Sequence, residues 1–214
     1  MDSGDTVRFA DRLDAGERLA TAVRERGIEA DVVLAIPRGG LPVGRAVADA
    51  LGVPLDVVVA KKLGAPGNPE LAIGAAASDG RVWLDEDMLG RLDIGDTYVA
   101  RERDRAEATA REKADRYRCG RDPPALAGKR VLVVDDGLAT GATARAALEQ
   151  VRDAGAASVV LTVPVGPPET VAELRAVADA VVCVATPRKF GSVGRFYRRF
   201  DQVSDAEAMA YLRE

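Results

Sequence analysis

The sequence predicts an α/β protein, a central parallel sheet flanked by helices. Two observations carry this. Short apolar runs rich in Val, Leu and Ile alternate with segments of helical periodicity, the pattern of strands buried on both faces by crossover helices. Several of these runs end in Gly-, Thr- or Pro-rich turns that lead straight into the next helix. At 214 residues, 47% hydrophobic and 30% charged, the chain can bury the core of one domain, read as spanning 1–214.

From Arg12 to Arg26, the residues Leu13, Leu19, Ala20 and Val23 fall at helical spacing, and Gly27 supplies a stop. Asp31–Ile36 is a short buried strand that runs into Pro37-Arg38-Gly39-Gly40-Leu41-Pro42, followed by a helix from about Val43 to Leu51. Adjacent glycines let a backbone approach a ligand closely, and Arg38 adds a fork suited to phosphate oxygens. Taken alone, such a turn is more often a tight connection. Pro54–Ala60 reads as the next strand, ending in Lys61-Lys62 and a Gly/Pro-rich stretch to Glu70. By itself that is a solvated strand end as readily as a site.

Leu71–Ser78 and Arg81–Leu84 flank Asp79-Gly80, a hairpin signal. A helix around Glu86–Leu92 precedes a long charged one, Asp96–Arg118, whose mixed acids and bases suggest i, i+4 pairs on a solvated face. This helical insertion, about 86–118, is expected to brace a lid or a dimer partner. Cys119–Lys129 is a linker. Ser158–Val163 is a strand, Glu169–Val177 a helix and Ala180–Ala185 the last core strand. The tail, about 186–214, holds interleaved bases, glycines and aromatics between Lys189 and Phe200, then a helix over Asp205–Leu212.

The most informative stretch is Val131–Thr143. An apolar strand ends in Asp135 and Asp136, and a Gly- and Thr-rich turn, Ala139–Thr143, leads into a helix from about Ala142 to Ala154. At the carboxyl end of a parallel strand, both acids project into the crevice where open α/β sheets bind ligands. Carboxylates accept hydrogen bonds and so suit a vicinal diol. Backbone N–H groups at the following helix start, with the hydroxyls of Thr140 and Thr143, suit a phosphate. Diol and phosphate side by side describe a ribose 5-phosphate.

Composition removes other chemistries. The chain has no histidine, which excludes Ser-His-Asp catalysis and leaves acids, lysines and arginines to do the work. Two cysteines make neither a disulfide framework nor a metal-ligand set. A net charge of −4 gives no general attraction for polyanions. No apolar run spans a bilayer and no signal-peptide pattern is seen, so a cytoplasmic location is expected.

Val131–Thr143 resembles the signature of type I phosphoribosyltransferases, in particular the predicted bacterial and archaeal members whose acceptor is not established. An apolar run ending in Asp-Asp also opens response-regulator receivers, but too few residues follow Val131 for such a domain, and Thr-Gly-Ala-Thr has no role there. The resemblance implies the type I fold with a β-hairpin or flexible lid and a small C-terminal hood. It implies Mg2+-dependent transfer of the 5-phosphoribosyl group from 5-phosphoribosyl 1-pyrophosphate (PRPP) to a nitrogenous acceptor, a purine-type nucleobase as in purine salvage, with release of pyrophosphate. A homodimer is expected on the same ground.

Carried over by position, Asp135 and Asp136 hold the ribose hydroxyls and, mainly through these or through water, the metal. Ala139, Thr140, Gly141, Ala142 and Thr143 hold the 5-phosphate. Arg38, Gly39 and Gly40 match the pyrophosphate loop, which often contains a cis peptide, and Lys61 and Lys62 match the mobile cover, with Lys62 favoured for the leaving group. Asp135, Asp136, Arg38 and Lys62 are thus the catalytic set. Phe190 and Val193, within Lys189–Gly194, match the hood over the base. Enzymes for 6-oxopurines place an aspartate where Ala139 stands; Ala139 is adenine-like, whereas the tail is 6-oxopurine-like. Two alternatives remain: a PRPP-binding regulator without transferase activity, and a transferase with a non-nucleobase acceptor.

Overall fold

The structure, a computed structural model, describes residues 8–213. Its elements run α1 (Arg12–Glu25), β1 (Val32–Ala35), α2 (Gly40–Leu51), β2 (Leu55–Val57), β3 (Ala60–Ala65), β4 (Asn68–Ala77), β5 (Val82–Leu84), α3 (Glu86–Arg91) and α4 (Asp96–Arg118). After the linker come β6 (Arg130–Val134), α5 (Ala142–Asp153), β7 (Ser158–Val165), α6 (Pro168–Leu174), β8 (Ala180–Ala185), a 3-10 turn at Val193–Phe196 and α7 (Asp205–Ala210).

Five strands form a parallel sheet in the order β2-β1-β6-β7-β8. Side chains alternate across it, which builds two cores. Val33, Ala35, Leu132 and Val134 pack with Leu19, Val23, Leu41 and Val47 of α1 and α2 on one face. Val32, Leu34, Val131, Val133 and Leu161 pack with Leu148, Val151, Val171 and Leu174 of α5 and α6 on the other. The order reverses direction between β1 and β6, the kind of switch point outside which such sheets bind ligands.

The expected strand over Pro54–Ala60 divides. Only Leu55–Val57 joins the parallel sheet. Ala60–Ala65 instead pairs antiparallel with β4, and β4 with β5, in a separate three-stranded ribbon. The Lys-Lys segment is therefore strand rather than loop, and only Pro66 and Gly67 turn the chain, Gly67 with φ +73. Leu63, Ala65, Ile73 and Ala76 hold the ribbon by burying against Ala106 of α4.

Helix α4 is mostly charged, yet Ala106, Ala110, Ala114 and Tyr117 form one buried stripe, and small residues there permit close approach. Its end is tied to β2: Arg118 Nε lies 3.0 Å from Asp56 Oδ1, and Nη2 donates to the Val57 carbonyl at 2.8 Å. The segments around Phe9 and Tyr197 form a parallel bridge, with Phe9 N–H on Phe196 O at 2.7 Å and Arg198 N–H on Phe9 O at 2.8 Å. Among the described residues no helix is long and apolar enough to cross a membrane.

Candidate active site

The two loops singled out in the sequence face each other across the switch point. Helix α2 starts at Gly40, three residues before the position its periodicity suggested, because Pro42 in the first turn lacks only an N–H that would be unpaired anyway. The peptide Pro37-Arg38 is cis. Gly39 has ordinary helical angles, φ −62 and ψ −31, so its lack of a side chain answers to space alone. A Cβ there would overlap the Asp136 carboxylate, and one on Gly40 would sit 2.8 Å from Val134 O and 3.1 Å from Asp135 Cα.

The acids divide in their surroundings. The Asp136 backbone N–H donates to Asp135 Oδ1 at 2.8 Å. Asp136 Oδ2 accepts from Arg12 Nε at 2.8 Å, and its carbonyl accepts from the Tyr197 hydroxyl at 2.6 Å. Arg12 is itself fixed: its guanidinium lies 3.8 Å from the Phe200 ring centroid, and Nη1 donates to Asp201 O at 2.8 Å. Asp135 makes no ion pair among the described residues and lines the neighbouring pocket. Burial pushes the Asp135 carboxyl well above the usual carboxylate range, with the Asp136 charge adding to it. Burial also raises Asp136, and Arg12 pulls it back.

Beside the acids, Gly137–Ala144 line a pocket of about 160 Å3 at the α5 N-terminus. Gly141, the cap, has φ +75, a left-handed turn that favours glycine, and no side chain caps the helix. Its first-turn N–H groups therefore lack a side-chain cap, a suitable arrangement for an anion. From α6, Thr170 Oγ1 donates to Ala139 O at 3.2 Å and braces the loop.

Arg38 points toward α7, its Nη1 being 3.6 Å from Asp205 Oδ1. Asp205 also accepts from the Tyr117 hydroxyl at 2.9 Å and from Arg116 Nη1 at 3.1 Å. Lys61 and Lys62 line a different cavity, about 410 Å3, between the ribbon and α4. In the tail, Phe190 stacks on Phe196 with centroids 5.3 Å apart and planes 28° apart. Val193 packs on Gly137, where a Cβ would lie 2.6 Å from Val193 Cγ1. The hood thus rests directly on the acid motif.

The structure brings together Arg38, Gly39, Gly40, Asp135, Asp136 and the loop through Thr143, with Val193 against it. It separates the lysine pair into the ribbon cavity. Sequence reasoning missed Arg12 and Asp205. Each begins a helix and reads as a capping or surface charge, and nothing local marks a partner as distant as the 124 residues between Arg12 and Asp136.

A carboxylate pair and a helix-start pocket lie at the switch point of a parallel sheet, at the carboxyl ends of its strands, the place where α/β proteins of this class bind ligands. Comparison narrows the class: the chain belongs to the phosphoribosyl transferase family, whose Phosphoribosyl transferase domain model matches residues 8–196. It is 45% identical over 204 residues to a protein of Mycobacterium tuberculosis strain H37Rv named "Putative phosphoribosyl transferase", covering 95% of this chain and 46% of that one. The chain therefore spans about half the length of that relative. It is 25% identical over 162 residues to amidophosphoribosyltransferase of Synechococcus elongatus, covering 76% of this chain and 25% of that protein. The crystal structure of TT1426 from Thermus thermophilus superposes with a TM-score of 0.83 at 45% identity, covering 96% of this chain and 97% of that one.

Proposed function

We propose that the chain binds PRPP and transfers its 5-phosphoribosyl group to a nitrogenous acceptor, a purine-type nucleobase, releasing pyrophosphate. One observation carries this reading: the Gly39-Gly40 backbone lies directly on the Asp135-Asp136 pair, next to the pocket at the α5 N-terminus. On this reading that juxtaposition serves as pyrophosphate loop, diol acceptor and phosphate cradle for one ligand.

Asp135 accepts the ribose hydroxyls, while the Ala139–Thr143 loop holds the 5-phosphate. The bond from the anomeric carbon to the pyrophosphate oxygen breaks, and its electron pair leaves on pyrophosphate. A lone pair on the acceptor nitrogen forms the new bond, and an acceptor N–H proton passes to solvent. Arg38 and the Gly39-Gly40 backbone stabilise the departing charge. Among the described residues no cluster of three or more acids or cysteines could hold a metal alone. Asp135, which makes no ion pair among the described residues, fits Mg2+ held largely by substrate oxygens, directly or through water. Bound there, the metal supplies charge neutralisation on pyrophosphate.

Pyrophosphate release from PRPP and Mg2+, measured against a panel of purine and pyrimidine bases, tests the reading, with Asp135→Asn as control. Turnover with a base that the control abolishes supports it. PRPP binding without base-dependent release overturns nucleobase transfer and favours a sensor or a non-nucleobase acceptor.

A further inference from the structure

The helical insertion carries a cation toward Arg38. Tyr98, Glu102, Arg105, Thr109 and Lys113 follow one another on α4 at spacings of three or four residues, and so share one face of the helix. The first four line the cavity that also holds Lys61 and Lys62. One turn past Lys113, the Tyr117 ring lies 5.8 Å from its Nζ. The Tyr117 hydroxyl bonds Asp205, and Asp205 faces Arg38. Lys113 therefore lies one turn beyond the cavity that holds the ribbon lysines, next to the Tyr117–Asp205 pair that leads to Arg38.

Lys113 is half-buried and makes no ion pair among the described residues. Burial lowers its pKa, repulsion from Arg38 and Lys61 lowers it further, and Asp205 and Asp135 only partly offset this. A desolvated ammonium facing other cations contributes little to a fold, but it is well placed to meet an anion. The position of Asp205, an anion already held by Tyr117 and Arg116 in front of Arg38, marks where acidic oxygens are accepted.

We propose that Lys113 binds the pyrophosphate moiety of PRPP, forming with Arg38 the cationic wall that receives the leaving group. Asp205 balances that wall before substrate arrives. The inference rests on the transfer reading above and gives the insertion a part in the site.

Calorimetric titration of the full chain with magnesium pyrophosphate, PRPP and ribose 5-phosphate tests it, using Lys113→Met and Lys113→Arg beside the unaltered protein. Lys113→Met should weaken pyrophosphate and PRPP roughly 10- to 100-fold, the share of one charged hydrogen bond, and leave ribose 5-phosphate unchanged. Lys113→Arg should restore most of the lost affinity, with thermal melting confirming that both variants fold. Equal pyrophosphate affinity in Lys113→Met, or an equal loss for all three ligands, overturns the inference while the transfer reading stands. If the unaltered protein binds neither PRPP nor ribose 5-phosphate, the transfer reading fails and takes this inference with it.

Discussion

Arg12 pins Asp136: the Nε to Oδ2 distance is 2.8 Å, and the two side chains are only 12% and 15% exposed. Asp135, one residue away, has no such partner among the described residues. The acids therefore do different work. Asp136 joins α1 and the tail to the glycine loop, whereas Asp135 lines the pocket at the α5 N-terminus.

Breaking the Arg12 pair should cost stability. Asp136→Asn leaves a mostly buried guanidinium without its carboxylate, and urea unfolding should register a loss of roughly 3 kcal/mol. The double variant Arg12→Met/Asp136→Asn should recover part of that loss, because no orphaned charge remains. A single variant as stable as the parent would show that the pair is only a surface contact.

Asp135→Asn should act in the opposite direction. Burial raises the Asp135 pKa, so the folded state holds its proton more tightly than the unfolded state does. The destabilisation grows as pH rises from the ordinary 3.8 through the raised value. The amide removes that charge and still accepts the Asp136 N–H. The melting gain of the amide over the parent should grow with pH along this limb to about 2–4 °C, the equivalent of about 1 kcal/mol in a chain of this size, while PRPP binding is lost.

Gly39→Ala and Gly40→Ala probe the close approach itself. Neither position needs a left-handed backbone, so any cost comes from the Cβ meeting Asp136 or Val134 O. Each should lose roughly 1–3 kcal/mol and most PRPP affinity. Gly27→Ala is a contrasting control: nothing lies within 4 Å of its Cβ, but φ is +63, so it should lower stability without affecting ligand binding at fixed fold.

Asp31 supplies a pH signature far from the site. Arg130 donates to it from the side chain and the backbone, and holds its pKa at about 2. With the folded value depressed, the contribution is present above the ordinary 3.8 and is lost as pH falls through about 2. Acid unfolding of Asp31→Asn should diverge from the parent at neutral pH and converge with it at the acid end. Parallel curves throughout would assign the effect to something other than this carboxylate.

The parallel sheet was legible because its strands are runs such as Val131–Val134 and Ala180–Ala185, apolar on both faces and ended by turn residues. The loop from Asp135 to Thr143 was legible because its residues are contiguous. Lys61–Ala65 was not, since two lysines, a glycine and nearby prolines look like loop; its strand state depends on β4 and Ala106, which no local pattern reveals. Arg12 and Asp205 escaped for a related reason. Their significance lies in partners distant along the chain, Asp136 for one and Arg38 for the other.

The bridge between Phe9 and Tyr197 has a dynamic consequence. Segments held by few backbone hydrogen bonds ordinarily open first. Here the amides of Phe9, Arg198 and Arg199 are hydrogen-bonded across the bridge, and the Tyr197 hydroxyl hangs on the carbonyl of Asp136. Peeling either strand away would release Asp136 together with it. Hydrogen exchange at these amides should be slow and should slow further, in step with the Asp136 loop, when ligand binds, so that the two segments open as one cooperative unit.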